Sequence, residues 1–161
     1  MENQNAKPCA RFGIISDTHG IFRSAIREIF NGVEHIFHAG DMGKPLVLRE
    51  LEKIAPVTAV LGNTDIPSWY PGIRKTVLTE LHGKSIMILH NPDGLDLDPS
   101  AAKIDAVIHG HTHRPYARRK KNVWYVNPGS AGPRRFMLPV SVAVMAVGSA
   151  ISVEHFTLRG D

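Results

Sequence analysis

Short apolar runs alternate with amphipathic stretches over the first two thirds of the chain. Residues 12–15, Phe12-Gly13-Ile14-Ile15, are too few for a helix and rich in isoleucine, which predicts a buried strand. After it, Ile21, Phe22, Ala25, Ile26, Ile29 and Phe30 recur at helical spacing, with Arg23, Arg27 and Glu28 between them. This predicts an amphipathic helix that ends near Asn31-Gly32. A strand over 34–39, a helix over 45–54 with Pro45 in its first turn, and a strand over 57–61 follow. The order strand, helix, strand, helix, strand predicts an α/β sheet with parallel pairing.

Residues 66–73, with two prolines, a glycine and two aromatics, predict a surface excursion. Paired strands over 74–80 and 84–89 surround Leu81-His82-Gly83, a short helix is expected over 100–103, and a strand over 105–109. The last third reads as antiparallel strands over 115–117, 123–126, 140–147 and 150–156. There is no internal repeat and no domain boundary. At 161 residues the chain is expected to be a single domain, with 1–10 as a loose N-terminal arm.

Composition changes this picture little. Apolar content of 43% and charged content of 21% are those of an ordinary globular protein. The polar start Met1-Glu2-Asn3-Gln4-Asn5 does not read as a signal peptide, and the longest apolar stretch, 140–147, is too short to span a bilayer. A single cysteine, Cys9, excludes an internal disulfide and fits a reducing compartment, so the expected address is the cytoplasm, with no membrane partner. The net charge of +4 suits an anionic partner. Much of the excess lies in Arg118-Arg119-Lys120-Lys121, which reads as a solvated hairpin tip without aromatic interleaving, so nucleic acid is not the expected partner.

The chemistry lies where the apolar runs stop. Five of them close on Asp17, Asp41, Asn63, His90 and His111. In open α/β sheets ligands bind in the crevice outside the carboxyl ends of the strands. His19 and His113 lie two residues beyond two of these positions, on the same side if the chain stays extended. Imidazoles, carboxylates and one amide carbonyl, without thiolate, fit manganese, iron, nickel or zinc rather than calcium or copper(I). Seven donors exceed one four-coordinate zinc and suit two ions about 3.5–4 Å apart with a shared carboxylate. Singly, Asp17, Asp41 and Asn63 would read as turn or helix-cap residues. Together with histidines at matching strand ends they favour metal, and His111-Thr112-His113 is the strongest piece.

Other polar residues have plainer readings. Asp65 is expected to orient its neighbours, while His38 and His109, inside strands, read as buried hydrogen-bonded histidines. His35, His82 and His155 read as surface or structural. Asn127-Pro128-Gly129-Ser130 reads first as a turn and second as a phosphate-facing nest. Asn91, held extended by Pro92, and Arg114, Arg134 and Arg135 are candidates to meet a substrate phosphate.

Asp17-x-His19, Gly40-Asp41, Gly62-Asn63-x-Asp65, an isolated His90 and Gly110-His111-x-His113, in that order, resemble the calcineurin-like metallophosphoesterase superfamily. The short length and Asn127-Pro128-Gly129-Ser130 resemble its YfcE-type phosphodiesterases in particular. The resemblance, over about residues 11–156, implies an α/β fold built as a two-sheet β-sandwich flanked by helices. It also implies that Asp17, His19 and His113 hold one divalent transition-metal ion, Asn63, His90 and His111 a second, and that Asp41 bridges them. Manganese is the first expectation, with nickel, iron or zinc as alternatives. Asp17, Asp41, Asn63 and His111 would then surround the reaction, in which a hydroxide shared by the ions attacks a small phosphoester. Asn63, Asn91 and Arg114 are the expected substrate contacts.

Two departures stand out. Thr64 occupies the place of a histidine proposed as the general acid in larger relatives, and Asn91-Pro92 stands where a glycine usually follows the fourth-motif histidine. Good leaving groups are therefore favoured. Two other functions compete: a protein-binding scaffold, since a retromer subunit of this fold has a degenerate metal site, and a nuclease. All seven donors are present, which favours the enzyme; homo-oligomerisation stays open.

Overall fold

The computed structural model describes residues 9–159. β1 (Ala10–Ile15) sets the architecture because both of its faces are buried. Ala10, Phe12 and Ile14 pack between two sheets, with Phe37, Val60, Ile86, Ile88, Ile108, Val126 and Met145. The alternating residue Ile15 packs on the opposite side, with Ile26, Phe30, Val47 and Leu51 of the helical layer. Burying each such side chain contributes about 1.5–3 kcal/mol, so β1 anchors both layers.

The first sheet is completed by β2 (His35–His38) and β3 (Val57–Ala59), joined by α1 (Ala25–Ile29) and α2 (Pro45–Glu52). The second contains β4 (Thr76–Leu81), β5 (Lys84–Leu89), β6 (Ala106–Ile108), β7 (Tyr116–Lys120) and β8 (Val123–Asn127). β9 (Ser141–Val147) and β10 (Ile151–Thr157) return to the first. The strand orders are β10-β9-β1-β2-β3 and β4-β5-β6-β8-β7. β1, β2 and β3 run parallel, as do β5, β6 and β8, while β9, β10, β4 and β7 pair antiparallel. The two parallel cores carry all five of the sequence-predicted strand ends.

Both helices lie on the outer face of the first sheet. The outer face of the second is covered by chain instead, with Leu95 and Ile104 packed on Met87, Leu89 and Val107. Among the described residues no helix is long and apolar enough to cross a membrane.

Several expectations need correction. The helix expected from residue 21 begins at Ala25, because a turn in which Ile21 N–H donates to Thr18 O precedes it. Residues 100–103 form hydrogen-bonded turns rather than a helix, with Lys103 at φ 56 ending them. Arg118, Arg119 and Lys120 are on β7 and only Lys121 and Asn122 form the tip, both at positive φ. The basic run thus follows a sheet edge. The expected arm lies largely outside the described residues, and its last member, Ala10, already belongs to β1.

Candidate metal centre

The loops leaving β1, β2, β3, β5 and β6 meet at one rim. Parallel pairing continues past the strands: Asp17 N–H donates to Gly40 O, His19 N–H to Asp41 O and Gly20 N–H to Met42 O. Gly110 N–H, after β6, donates to His90 O, after β5. The glycines ahead of Asn63 and His111 permit this approach. A Cβ on Gly62 would overlap Asp41 Oδ1, and one on Gly110 would overlap Ser16 Oγ.

The expectation that Asp17 and His19 share a side through an extended chain is corrected. Asp17, His19, Asp41, His111 and His113 all have left-handed backbones, with φ of 54, 46, 55, 70 and 59. Such conformations are uncommon outside glycine and gather at functional sites. The side chains converge, by curled loops instead of strand alternation.

Each aspartate commits one oxygen to the protein and turns the other to the cluster. Asp17 Oδ2 accepts from Ser16 Oγ at 2.6 Å and from His111 N–H at 3.1 Å; Asp41 Oδ1 accepts from Thr64 N–H at 2.9 Å. Asp17 Oδ1 is 3.0 Å from His113 Nε2 and 3.9 Å from His90 Nε2. Asp41 Oδ2 is 3.9 Å from His19 Nε2 and 3.3 Å from His90 Nε2.

His90 is the centre of this geometry. A carbonyl only accepts, so the 2.7 Å contact with Ala39 O makes Nδ1 the protonated nitrogen. Its Nε2 then faces Asn63 Oδ1 at 3.0 Å together with the two aspartate oxygens. Four atoms that offer lone pairs point at one another. Such a convergence requires a cation or a proton between them. Asn63 Oδ1 is also 3.3 Å from His111 Nδ1, which brings the last donor into the group.

Two sets have ligand atoms within 4.8 Å of one another: Asp17, His19 and His113, and Asp17, Asp41 and His90. His19 Nε2 and His113 Nδ1 are buried without a hydrogen-bond partner, and Asp17 Oδ1 is buried with only the ion-pair contacts to His113 Nε2 and His90 Nε2. Burying unpaired polar atoms is costly, so these orphans fit a bound cation. Asp17, Asp41, His90 and His113 are buried, whereas Asn63 and His111 are exposed. The cluster is closed at its back and open at its front.

Charge agrees with this geometry. Burial works against the charged forms of Asp17 and Asp41, yet both carboxyls fall below their ordinary value. The neighbours responsible are His113, Ser16 and His90 for Asp17, and His90 and Thr64 N–H for Asp41. Burial also works against charged His90, but Asp41, Asp17 and Ala39 O raise it. Burial lowers His19, and the nearby charges of Arg135 and His113 add to this against the pull of Asp41 and Asp17.

The supporting residues are equally defined. Asp65 accepts from Gly43 N–H and Gly62 N–H, tying the loops after β2 and β3 together. His38 is fully buried: its Nδ1 accepts from Gly40 N–H and its Nε2 meets Thr18 Oγ1, whose hydroxyl donates to Met42 O. His109 is buried between Gly110 O and the Tyr116 hydroxyl. Asn127 opens the expected turn and is also a strut. Its Nδ2 donates to Gly110 O and Thr112 Oγ1, and its Oδ1 accepts from Gly129 N–H. Ser130 Oγ donates to Asp17 O. Residues 127–130 are buried, so the nest reading, which needs a solvent-facing backbone, is not met.

A cleft of about 410 Å³ opens from the His90 side, lined by Asn63, Asn91, Leu61, Leu89, Pro67 and Lys75 among others. Asn91 sits in it with its Oδ1 capping the turn Pro92–Gly94; the backbone is extended as Pro92 requires, and His90 keeps its place. Arg114 is exposed just beyond His113. Sequence reasoning missed Lys75, which lies far from the motifs along the chain and joins them only through the fold.

Comparison with known proteins places these features in context. The family model for the calcineurin-like phosphoesterase superfamily domain matches residues 11–150. A probable metallophosphoesterase of Methanothermobacter thermautotrophicus is 34% identical over 159 residues, covering 88% of this chain and 89% of its own. The YfcE phosphoesterase of E. coli superposes with a TM-score of 0.66 at 22% identity, covering 88% of this chain and 98% of its own. Vacuolar protein sorting 29 of Cryptosporidium parvum superposes with a TM-score of 0.76 at 17% identity, covering 93% of this chain and 99% of its own. At these identities the two structures share the fold.

Proposed function

The chain belongs to the calcineurin-like phosphoesterase superfamily, and from that premise we propose that it is a two-metal phosphodiesterase acting on a small phosphoester. The observation that carries the proposal is the convergence of lone pairs on His90 Nε2, with Asp41 Oδ2 reaching both His90 and His19. Asp17, His19 and His113 would hold one divalent ion, Asn63, His90 and His111 the other, and Asp41 would bridge them. Manganese is the expected ion. When bound, such a pair supplies an activated water and neutralises charge on phosphoryl oxygens.

The residues do the rest. The hydrogen bond from His90 Nδ1 to Ala39 O fixes the ring and leaves its other nitrogen basic. Ser16 Oγ, with His111 N–H and Thr64 N–H, keeps Asp17 and Asp41 ionised and oriented. The exposed Asn63 amide and the Asn91 side chain in the cleft are positioned to receive phosphoryl oxygens, with Arg114 beyond His113. Thr64 supplies no proton to a leaving group, so esters with good leaving groups should react fastest. A single cysteine, exposed, agrees with a cytoplasmic address.

A protein-binding scaffold is the second reading. It draws on the likeness to vacuolar protein sorting 29 and on exposed Trp69, Leu46 and Ile66. The complete donor set ranks it below the enzyme. Hydrolysis of bis-p-nitrophenyl phosphate before and after chelation separates the two. The enzyme requires activity that disappears on chelation and returns with manganese; no activity with any divalent ion would leave the scaffold.

A further inference from the structure

Residues 131–140 leave the metal centre and return as a closed loop. Ala131 N–H donates to Ser16 O at 3.0 Å, and Ser141 N–H donates to Ser130 O at 2.9 Å. The root packs on the Asp17 loop, where a Cβ on Gly132 would lie 2.4 Å from Asp17 O and 2.7 Å from Thr18 O. The Arg23 guanidinium donates to Ala131 O and Gly132 O and fixes that root. From it a tip projects. Leu138 N–H donates to Arg135 O at 3.1 Å, closing a turn with Phe136 and Met137 at its corners. Phe136 is 91% and Met137 88% exposed, more than any other large apolar side chain among the described residues. Phe136 also has a left-handed backbone, φ 53, which disfavours a bulky residue and suits Gly or Asn. Exposure and strain thus fall on one aromatic side chain, and strain of this kind gathers at functional sites.

The surroundings of the tip indicate its ligand. Arg134 and Arg135 precede Phe136, and no carboxylate side chain occurs between residues 130 and 140. Phe136 is four positions beyond Gly132, a reach of at most about 14 Å. The charge of Arg135 acts on His19, so the tip stands beside the metal centre. An anion held at that centre therefore has positive charge and a flat apolar surface next to it. This pairing suits a planar ring joined to a phosphate, because aromatic side chains stack on bases and arginine meets phosphate oxygens. Resting on the phosphodiesterase reading above, we propose that Phe136 is a specificity residue that stacks on a planar, base-like group of the phosphoester, as in a nucleotide. It takes no part at the reacting phosphorus.

The test uses thymidine 5′-monophosphate and 2-deoxyribose 5-phosphate, which share the phosphate and differ in the base, bound to the manganese-loaded full chain and followed by calorimetry. Wild type should bind the nucleotide about tenfold more tightly than the sugar phosphate. Phe136→Asn, which suits the left-handed backbone, should lose that preference and leave the Kd of the sugar phosphate unchanged, while Phe136→Tyr keeps the preference. The urea midpoint of Phe136→Asn should equal or exceed that of wild type, whereas a merely structural role would lower it. Equal losses on both ligands, a preference unchanged in Phe136→Asn, or no binding of either ligand by wild type would overturn the proposal. Sedimentation of wild type but not Phe136→Asn with phosphatidylglycerol vesicles, without preference for the base, would overturn it in favour of a membrane surface. Hydrolysis of bis-p-nitrophenyl phosphate by the same preparation tests the phosphodiesterase reading separately.

Discussion

His38 offers a quantitative test of how the metal-bearing loops are held. It is fully buried, and both ring nitrogens are used in the neutral state: Nδ1 accepts from Gly40 N–H and Nε2–H reaches Thr18 Oγ1. Protonation would turn Nδ1 into a donor facing a donor. Burial lowers the imidazole from 6.5 to about 4, with Asp17 and Asp41 only partly offsetting it. The unfolded chain therefore binds more protons than the folded one between these two values, and stability falls as pH drops through that window. At about 1.36 kcal/mol per unit, the full loss is about 3 kcal/mol. Urea unfolding of the metal-free protein at pH 7.5 and 4.5 measures it. His38→Gln retains a donor for Thr18 but carries no titrating group. The variant is expected to start less stable at pH 7.5 and to lose about 2.5 kcal/mol less than wild type on acidification. Parallel losses in the two proteins would refute the neutral-strut assignment.

Further outcomes follow from the same packing. Asn127→Ala leaves Gly129 N–H without its acceptor and removes one of several hydrogen bonds at Gly110 O and Thr112 Oγ1, which keep Thr112 N–H and Arg114 N–H, so it should cost about 2 kcal/mol, read by urea unfolding. It should also weaken metal binding by loosening the His111 loop, seen by calorimetric titration with manganese. His109→Gln should keep metal content near that of wild type, measured by elemental analysis; loss of an ion would make His109 a ligand. Asp41→Ala should abolish hydrolysis of bis-p-nitrophenyl phosphate, because both ions would lose a donor; full activity would show that Asp41 does not bridge.

The five strand ends were legible because each apolar run is short and stops at a polar side chain able to ligate. Strand burial and chain order then bring Asp17, Asp41, Asn63, His90 and His111 to one rim. The means of convergence were not legible. Left-handed backbones at Asp17, His19, Asp41, His111 and His113 leave no periodic trace, since they are imposed by the glycines and cross-loop hydrogen bonds around them. The turn at Asn127 is legible because Asn-Pro-Gly is a turn signal; its added strut role is not, since it depends on Gly110 and Thr112, which lie beside it only after β6 and β8 pair. The segment 100–103 failed for a local reason: too few residues to nucleate a helix, and a left-handed Lys103 to end it. Placement of both helices on one face follows from the connections between parallel β1, β2 and β3. Among the described residues sheet two has no α-helical crossover, and its outer apolar face is covered by Leu95 and Ile104.

The central claim is that this rim grips two cations. Manganese titration of the chelated full chain by calorimetry, with elemental analysis of the reloaded protein, tests it directly. Close to two ions per wild-type chain, with both lost or weakened in Asp41→Ala, is the result expected of a bridged pair. A wild-type chain that takes up one ion or none would contradict it.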